Sequence, residues 1–268
     1  MFSKKANPML DKLRAGKPVY GMQIYSVCPD LVEITGYAGM DFYMLDMEHV
    51  KTGYNEIQHC LRAGDSVGVT GLCRVKENTP YDIRTVMEAG AQGIVVPHVN
   101  TREDALRAKQ AALYPPYGIA GICPAIRASH YTSADWDEYL EYNRTDIMLM
   151  PLIEDPIAVD NIDEILSVLD PNCDAIWFGR ADYAQCLIEK GGKMDWVADR
   201  ITEDFKKVLA SAKKYGINVL ATPFPTCTPE VAKANIELGA RIVLFSIDEM
   251  VYYNACASLV NGMKELGL

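Results

Sequence analysis

Short apolar runs alternate with amphipathic stretches along the whole chain. The runs fall at 18–25, 41–47, 68–75, 93–99, 146–153, 174–179, 217–223 and 241–247, and each is hydrophobic almost without interruption. A strand with one wet face alternates apolar and polar residues, whereas a strand covered on both faces has no need to. The runs therefore predict eight strands of a parallel sheet. Between them the apolar positions recur at helical spacing. Ile57, Cys60 and Leu61 share one face of YNEIQHCLRAG, which is expected to end at its glycine. Thr79-Pro80 opens a helix through Ile83, Val86 and Met87, and Thr101 caps one carrying Ala105 and Ala108. Asp155-Pro156 starts a helix expected to run through Val159, Ile162 and Ile165. The stretches from Ile201, Pro229 and Met250 read as three more helices.

Eight strands alternating with helices predict an α/β chain folded as a single (β/α)8 TIM barrel, one domain over 1–268. An open doubly wound sheet is the competing architecture. It carries a glycine-rich turn after its first strand, and here YSVCPD follows instead. The segment at about 114–144, rich in Pro, Gly and Tyr, breaks the alternation and is expected to be a long loop.

Composition narrows the class of function. The formal net charge is −10, which argues against nucleic acid or an anionic membrane as partner. The eight cysteines are scattered without a C-x-x-C pair, so neither a zinc cluster nor a disulfide framework is expected. The first residues lack an apolar signal core, and no run is long enough to span a bilayer. A cytoplasmic protein with reduced thiols is the expectation.

In a barrel of this kind the carboxyl ends of the strands share one mouth, where active sites lie. Asp46, Glu48 and His49 follow the second run, Arg74 ends the third, His98 ends the fourth, Glu154 follows the fifth, Asp182 the sixth, and Thr222 ends the seventh. Glu154 and Asp182, two acids from different strands, make a hard-cation site the first hypothesis, although each could instead cap a helix or pair with a base. Asp155 is read as the N-cap before Pro156. His49 could serve as a base or sit in the structure as a cap, and His98 is the weaker candidate imidazole. A guanidinium at a buried strand end needs an anionic partner, so Arg74 is a natural clamp. A cation, a base and an anion clamp together equip a site to form an enolate beside a carboxylate. No G-x-G-x-x-G, Walker or G-x-S-x-G motif is present, and no lysine ends a strand, which favours a metal route over a Schiff base.

Taken in order, DMEH, the arginine of LCRV, EAGAQGIVVPHVNTREDA, PLIEDPIAVDNIDEI and FGRADYA resemble the HpcH/HpaI aldolase family of metal-dependent class II pyruvate aldolases, over nearly the whole chain. The resemblance implies a (β/α)8 barrel, commonly a hexamer, with the last helix swapped between subunits. It implies reversible aldol cleavage of a 4-hydroxy-2-oxo acid to pyruvate, or a close 2-oxo acid, and an aldehyde. Glu154 and Asp182 match the metal-binding acids, for magnesium, manganese, cobalt or a similar ion. His49 matches the catalytic histidine, Arg74 the arginine that holds the enolate, and Glu88 the acid that partners the histidine. Arg127 matches an arginine that reaches a neighbouring subunit's site. Gly179, Arg180, Ala181 and Leu220 are further expected substrate-binding positions. The chain departs from the family at Arg180, where proline is usual, and at Tyr183-Ala184, where leucine-serine is usual. Two rivals remain: a CoA-ester lyase of the citryl or malyl type, whose R-S-x-L-x-x-P opening strand is replaced here by GMQIYS, and a non-catalytic metabolite-binding barrel.

Overall fold

The structure, a computed structural model, describes residues 4–189 and 192–268. Strands β1 (Val19–Ile24), β2 (Phe42–Asp46), β3 (Thr70–Arg74), β4 (Gly93–Val96), β5 (Met148–Ile153), β6 (Ala175–Phe178), β7 (Asn218–Ala221) and β8 (Ile242–Ile247) each lie inside one of the apolar runs. They pair in chain order, all parallel, and β8 returns to β1 to close the barrel. The helices are α1 (Pro8–Arg14), α2 (Pro29–Tyr37), α3 (Tyr54–Val67), α4 (Pro80–Glu88), α5 (Arg102–Ala112), α6 (Trp136–Asp146), α7 (Pro156–Asp160), α8 (Ile162–Leu166), α9 (Arg180–Cys186), α10 (Asp199–Tyr215), α11 (Pro229–Leu238) and α12 (Asp248–Glu265).

The continuous hydrophobicity of the strands follows from two cores. On β2, Phe42 and Met44 point inward to a cluster with Leu72, Met150 and Leu220, while Tyr43 and Leu45 point outward to the helices. The two-residue period of a strand carries this division toward the mouth. Beyond inward Met44 comes Asp46, beyond inward Leu72 comes Arg74, and beyond inward Leu152 comes Glu154. The polar mouth is thus the upward continuation of the apolar interior. At the other end α1 plugs the barrel: Met9, Leu10 and Leu13 join the inner cluster. Asn7 caps α1 and accepts from Thr70 Oγ1 at 3.1 Å, fixing the plug to β3.

Thr79, Thr101 and Thr228 cap their helices as hydroxyls at an N-cap should, and Thr101 with Asp104 forms a capping box. Asp155 caps α7 through the amide of Ile157 at 2.8 Å. Three expectations need correction. α3 does not end at Gly64 but runs on to Val67 and closes at Gly68, whose φ is 71°. Gly64 is glycine because Tyr43 packs where its Cβ would stand. The helix after Asp155-Pro156 is two short ones, since Asn161 leaves helical register between them and donates from Nδ2 to Asn100 O at 2.9 Å. The expected loop at 114–144 ends in α6, which buries Tyr139, Tyr142 and Asn143 at helical spacing. All eight cysteines are free thiols, and among the described residues no helix is long and apolar enough to cross a membrane.

Candidate active site

The mouth is built on a pair of opposed residues. Asp46 and Arg74 are register partners on β2 and β3, so their inward side chains meet over the top of the inner core. Asp46 is fully buried and Arg74 is 4% exposed. The guanidinium is ion-paired with Asp46 and lies 2.9 Å from Glu48 Oε2, donates to Tyr25 Oη at 3.2 Å, and stacks 5.4 Å above the Trp177 ring. Gln23 completes the cradle, donating to Asp46 Oδ2 at 2.9 Å. Burial disfavours the charge on Arg74, but Asp46 and Glu48 more than offset it and hold its pKa above the ordinary value. Of these partners Tyr25, Gln23 and Trp177 were not singled out from sequence. The two-residue period marks Gln23 and Trp177, both of which fall on inward positions.

Glu154 sits beside this cradle, 2% exposed. Its Oε1 accepts the backbone N–H of His98 at 2.9 Å, and the His98 ring folds back on the same oxygen, Nδ1 at 3.0 Å. The other ring nitrogen is 3.3 Å from Glu48 Oε1. Glu154 Oε2 is buried with no hydrogen-bond partner. Burial, then the charges of Asp182 and Glu48, push the Glu154 carboxyl up to about 8, against the opposing pull of the His98 amide and Arg74. Glu48, His98 and Glu154 each offer one donor atom, all within 4.8 Å of one another. Asp182, in the first turn of α9, is not one of these three but stands close enough to act on Glu154. Gly179 caps α9 where a Cβ would come within 2.9 Å of Glu154 Cβ, so only glycine lets α9 approach the acid this closely. Asp46 and Glu48 on the Arg74 guanidinium, Asp182 close to Glu154, and a buried Glu154 Oε2 without a hydrogen-bond partner make a donor set that fits a divalent cation.

The remaining sequence-derived positions separate. His49 stands at the mouth, half exposed, with Nε2 3.7 Å from Glu48 Oε2 and its backbone N–H donating to Asp46 Oδ1 at 2.8 Å. Arg180 opens α9. It donates to Trp196 O at 3.1 Å and lies 5.3 Å from the Phe224 ring, and among the described residues it has no acidic partner. Ala181 is exposed at the same turn. Leu220 is fully buried in the inner core, one inward step below Thr222.

Glu88 and Arg127 lie at the opposite end of the barrel. α4 runs back from the mouth, so its last residue, Glu88, emerges beside the start of β4. There Glu88 Oε1 is 3.9 Å from Arg84 Nε, and burial raises its carboxyl pKa. Within one chain it therefore does not touch His49. Arg127 pairs with Asp65 and donates to Ala89 O at 2.8 Å. It lines a cavity of about 280 Å³ with Lys5, Asp65, Gly90 and Tyr142. That cavity is at the foot of the barrel, whereas the acids and the unpartnered Glu154 oxygen are at the mouth, which is the candidate site.

The profile of the HpcH/HpaI aldolase/citrate lyase family matches residues 20–255. The 2-keto-3-deoxy-L-rhamnonate aldolase of Escherichia coli (strain K12) is 28% identical over 254 residues, 93% of this chain and 90% of that protein. The HpcH/HpaI aldolase of Desulfitobacterium hafniense DCB-2 superposes with a TM-score of 0.88 at 28% identity, over 97% of this chain and 98% of that one. Citrate synthase SbnG superposes with a TM-score of 0.85 at 25% identity, over 98% and 99%. The family match runs from the first strand into the last helix and takes in every residue of the acid-and-arginine mouth, and the chain belongs to the HpcH/HpaI aldolase/citrate lyase family.

Proposed function

We propose that this chain is a carbon–carbon lyase, a class II pyruvate aldolase that reversibly cleaves a 4-hydroxy-2-oxo acid to pyruvate, or a close 2-oxo acid, and an aldehyde. The observation that carries the reading is the buried, unpartnered Glu154 oxygen in an acid-rich mouth that also holds Arg74. Glu154, with Glu48 and Asp182 around it, would hold a divalent ion: magnesium, manganese, cobalt or similar. When bound, such an ion supplies Lewis-acid polarisation of the 2-oxo group. Arg74, already oriented by Asp46 and stacked on Trp177, donates charged hydrogen bonds to the oxygen on which charge develops as the C3–C4 bond breaks. His49 takes the proton of the 4-hydroxyl, the electron pair of the broken bond passes to the enolate, and protonation at C3 releases the 2-oxo acid. Glu88 and Arg127 serve a site only if an adjoining copy presents its mouth to them, so their assigned roles require a homo-oligomer, a hexamer or trimer of dimers. Arg180, a half-buried cation at the rim with no acidic partner among the described residues, suits an aldehyde that carries a negative charge.

Assay of a panel of 4-hydroxy-2-oxo acids with divalent metals tests this. Cleavage should require metal and fall to background in Glu154→Ala, and Arg180→Met should raise KM for anionic aldehydes while sparing neutral ones. Full activity in Glu154→Ala, or after chelation, would overturn the metal reading.

A further inference from the structure

The chain leaves β4 at Val96, passes Pro97 and turns at His98, whose φ of 55° lies in the left-handed region. A side chain with a β carbon is crowded there, and such conformations persist where surrounding contacts impose them, often at functional sites. Among the described residues the polar contacts of His98 are to two acids. Its amide and its Nδ1 both address Glu154 Oε1, at 2.9 and 3.0 Å, and its Nε2 addresses Glu48 Oε1 at 3.3 Å. A neutral imidazole carries one N–H and can donate to one of these oxygens. The other nitrogen presents a lone pair to the space the carboxylates enclose. Glu154 Oε2, the oxygen that His98 does not engage, lies on the Gly179 side, buried and without a hydrogen-bond partner. A turn strained to aim an imidazole between two carboxylates from other strands is the local architecture of a mixed nitrogen and oxygen ligand set.

We infer that His98 is a nitrogen ligand to the cation held by Glu154, and that this ligand makes the site select a transition ion over magnesium. The inference rests on the reading of the mouth as a cation site. Magnesium is served by oxygen donors, whereas imidazole favours cobalt, zinc and, more weakly, manganese. His98 then does for metal choice what no member of an all-carboxylate set could do.

The test uses the full chain with metal alone. Pulsed electron paramagnetic resonance of the Mn²⁺-loaded protein should show coupling to a ¹⁴N nucleus. The coupling should vanish in His98→Ala and in His98→Asn; asparagine tolerates the left-handed turn, so the second variant preserves the backbone. Titration calorimetry should show Co²⁺ affinity falling at least about tenfold in either variant while Mg²⁺ affinity changes little. Mn²⁺ binding without ¹⁴N coupling in the unaltered protein overturns the inference and leaves the aldolase reading standing. Coupling that survives in both His98 variants and disappears in His49→Ala assigns the ligand to the other imidazole and likewise overturns it. Absence of stoichiometric Mn²⁺ binding overturns this inference and the cation site together.

Discussion

Glu154 is held in its protonated form well above the usual carboxylate range, first by burial and then by Asp182 and Glu48, with its midpoint at about 8. A proton and a cation compete for such a group, so metal affinity should rise with pH up to about 8 and then level off. Stability of the metal-free protein should move the other way. The folded pKa lies above the ordinary value of 4.5, so this group's contribution is fully present below about 4.5 and is lost as pH rises through about 8. Melting temperatures in chelator and in Mn²⁺, taken from pH 5 to 9, should diverge progressively; parallel curves would contradict the assignment. At this scale the sequence was most readable where side-chain direction follows from the strand period. Glu154, Asp46 and Arg74 each continue an inward file, and each arrives at the mouth. Leu220 sits one step lower on such a file, in the inner core. The placement of His98 depends on a left-handed turn beyond the strand end, which periodicity does not encode.

At the scale of elements, strands were more legible than helices. A strand buried on both faces leaves an unbroken apolar run, while a helix end depends on one cap or one contact. Gly64 reads as a terminator and is instead a clearance for Tyr43; α6 is rich in Tyr, Asn and Asp, which promise turns, yet its buried face follows helical spacing. Tyr183, one of the departures from the family pattern, proves to be a tie between helices. It is fully buried in α9 and its hydroxyl bonds Asp204 of α10, which also pairs with Arg200. Burial disfavours the Asp204 charge, but the bonds from Tyr183 and Arg200 outweigh it and keep the carboxyl pKa low. Tyr183→Phe should cost about 1.5–3 kcal/mol in denaturant unfolding, as loss of a hydrogen bond to a charged group. It should also weaken metal binding, because α9 carries Asp182; unchanged metal affinity would show that the tie is purely structural. The plug helix α1 escaped the sequence reading because it is short and precedes the first strand. Leu10, 2% exposed at the foot of the barrel, should cost about 2–5 kcal/mol when replaced by alanine. Activity per folded molecule should be unaffected, since the mouth is at the other end.

The whole molecule is legible in the count of eight runs and in the single mouth they imply. What the chain could not disclose by itself is where the ends of its helices lead in an assembly. α12 buries none of its 18 residues, and Tyr252, Tyr253, Leu259, Val260 and Met263 are exposed along it. A helix that apolar needs a covering surface, and Glu88 and Arg127 face away from their own mouth. Light scattering should therefore give a mass several times that of one chain, and removal of 248–268 should reduce it. A monomer at micromolar concentration would remove Glu88 and Arg127 from the mechanism.

The contact between His98 and Glu154 joins positions 56 residues apart, across the whole of α5, the loop after it and α6. Its formation requires that this long excursion has already closed. If the mouth holds a cation as proposed, its pocket is finished only when that excursion closes, and uptake of an ion during refolding is a clock for barrel closure: early binding would mean a site assembled from β2 alone, late binding a site that exists only once β4 and β5 lie side by side.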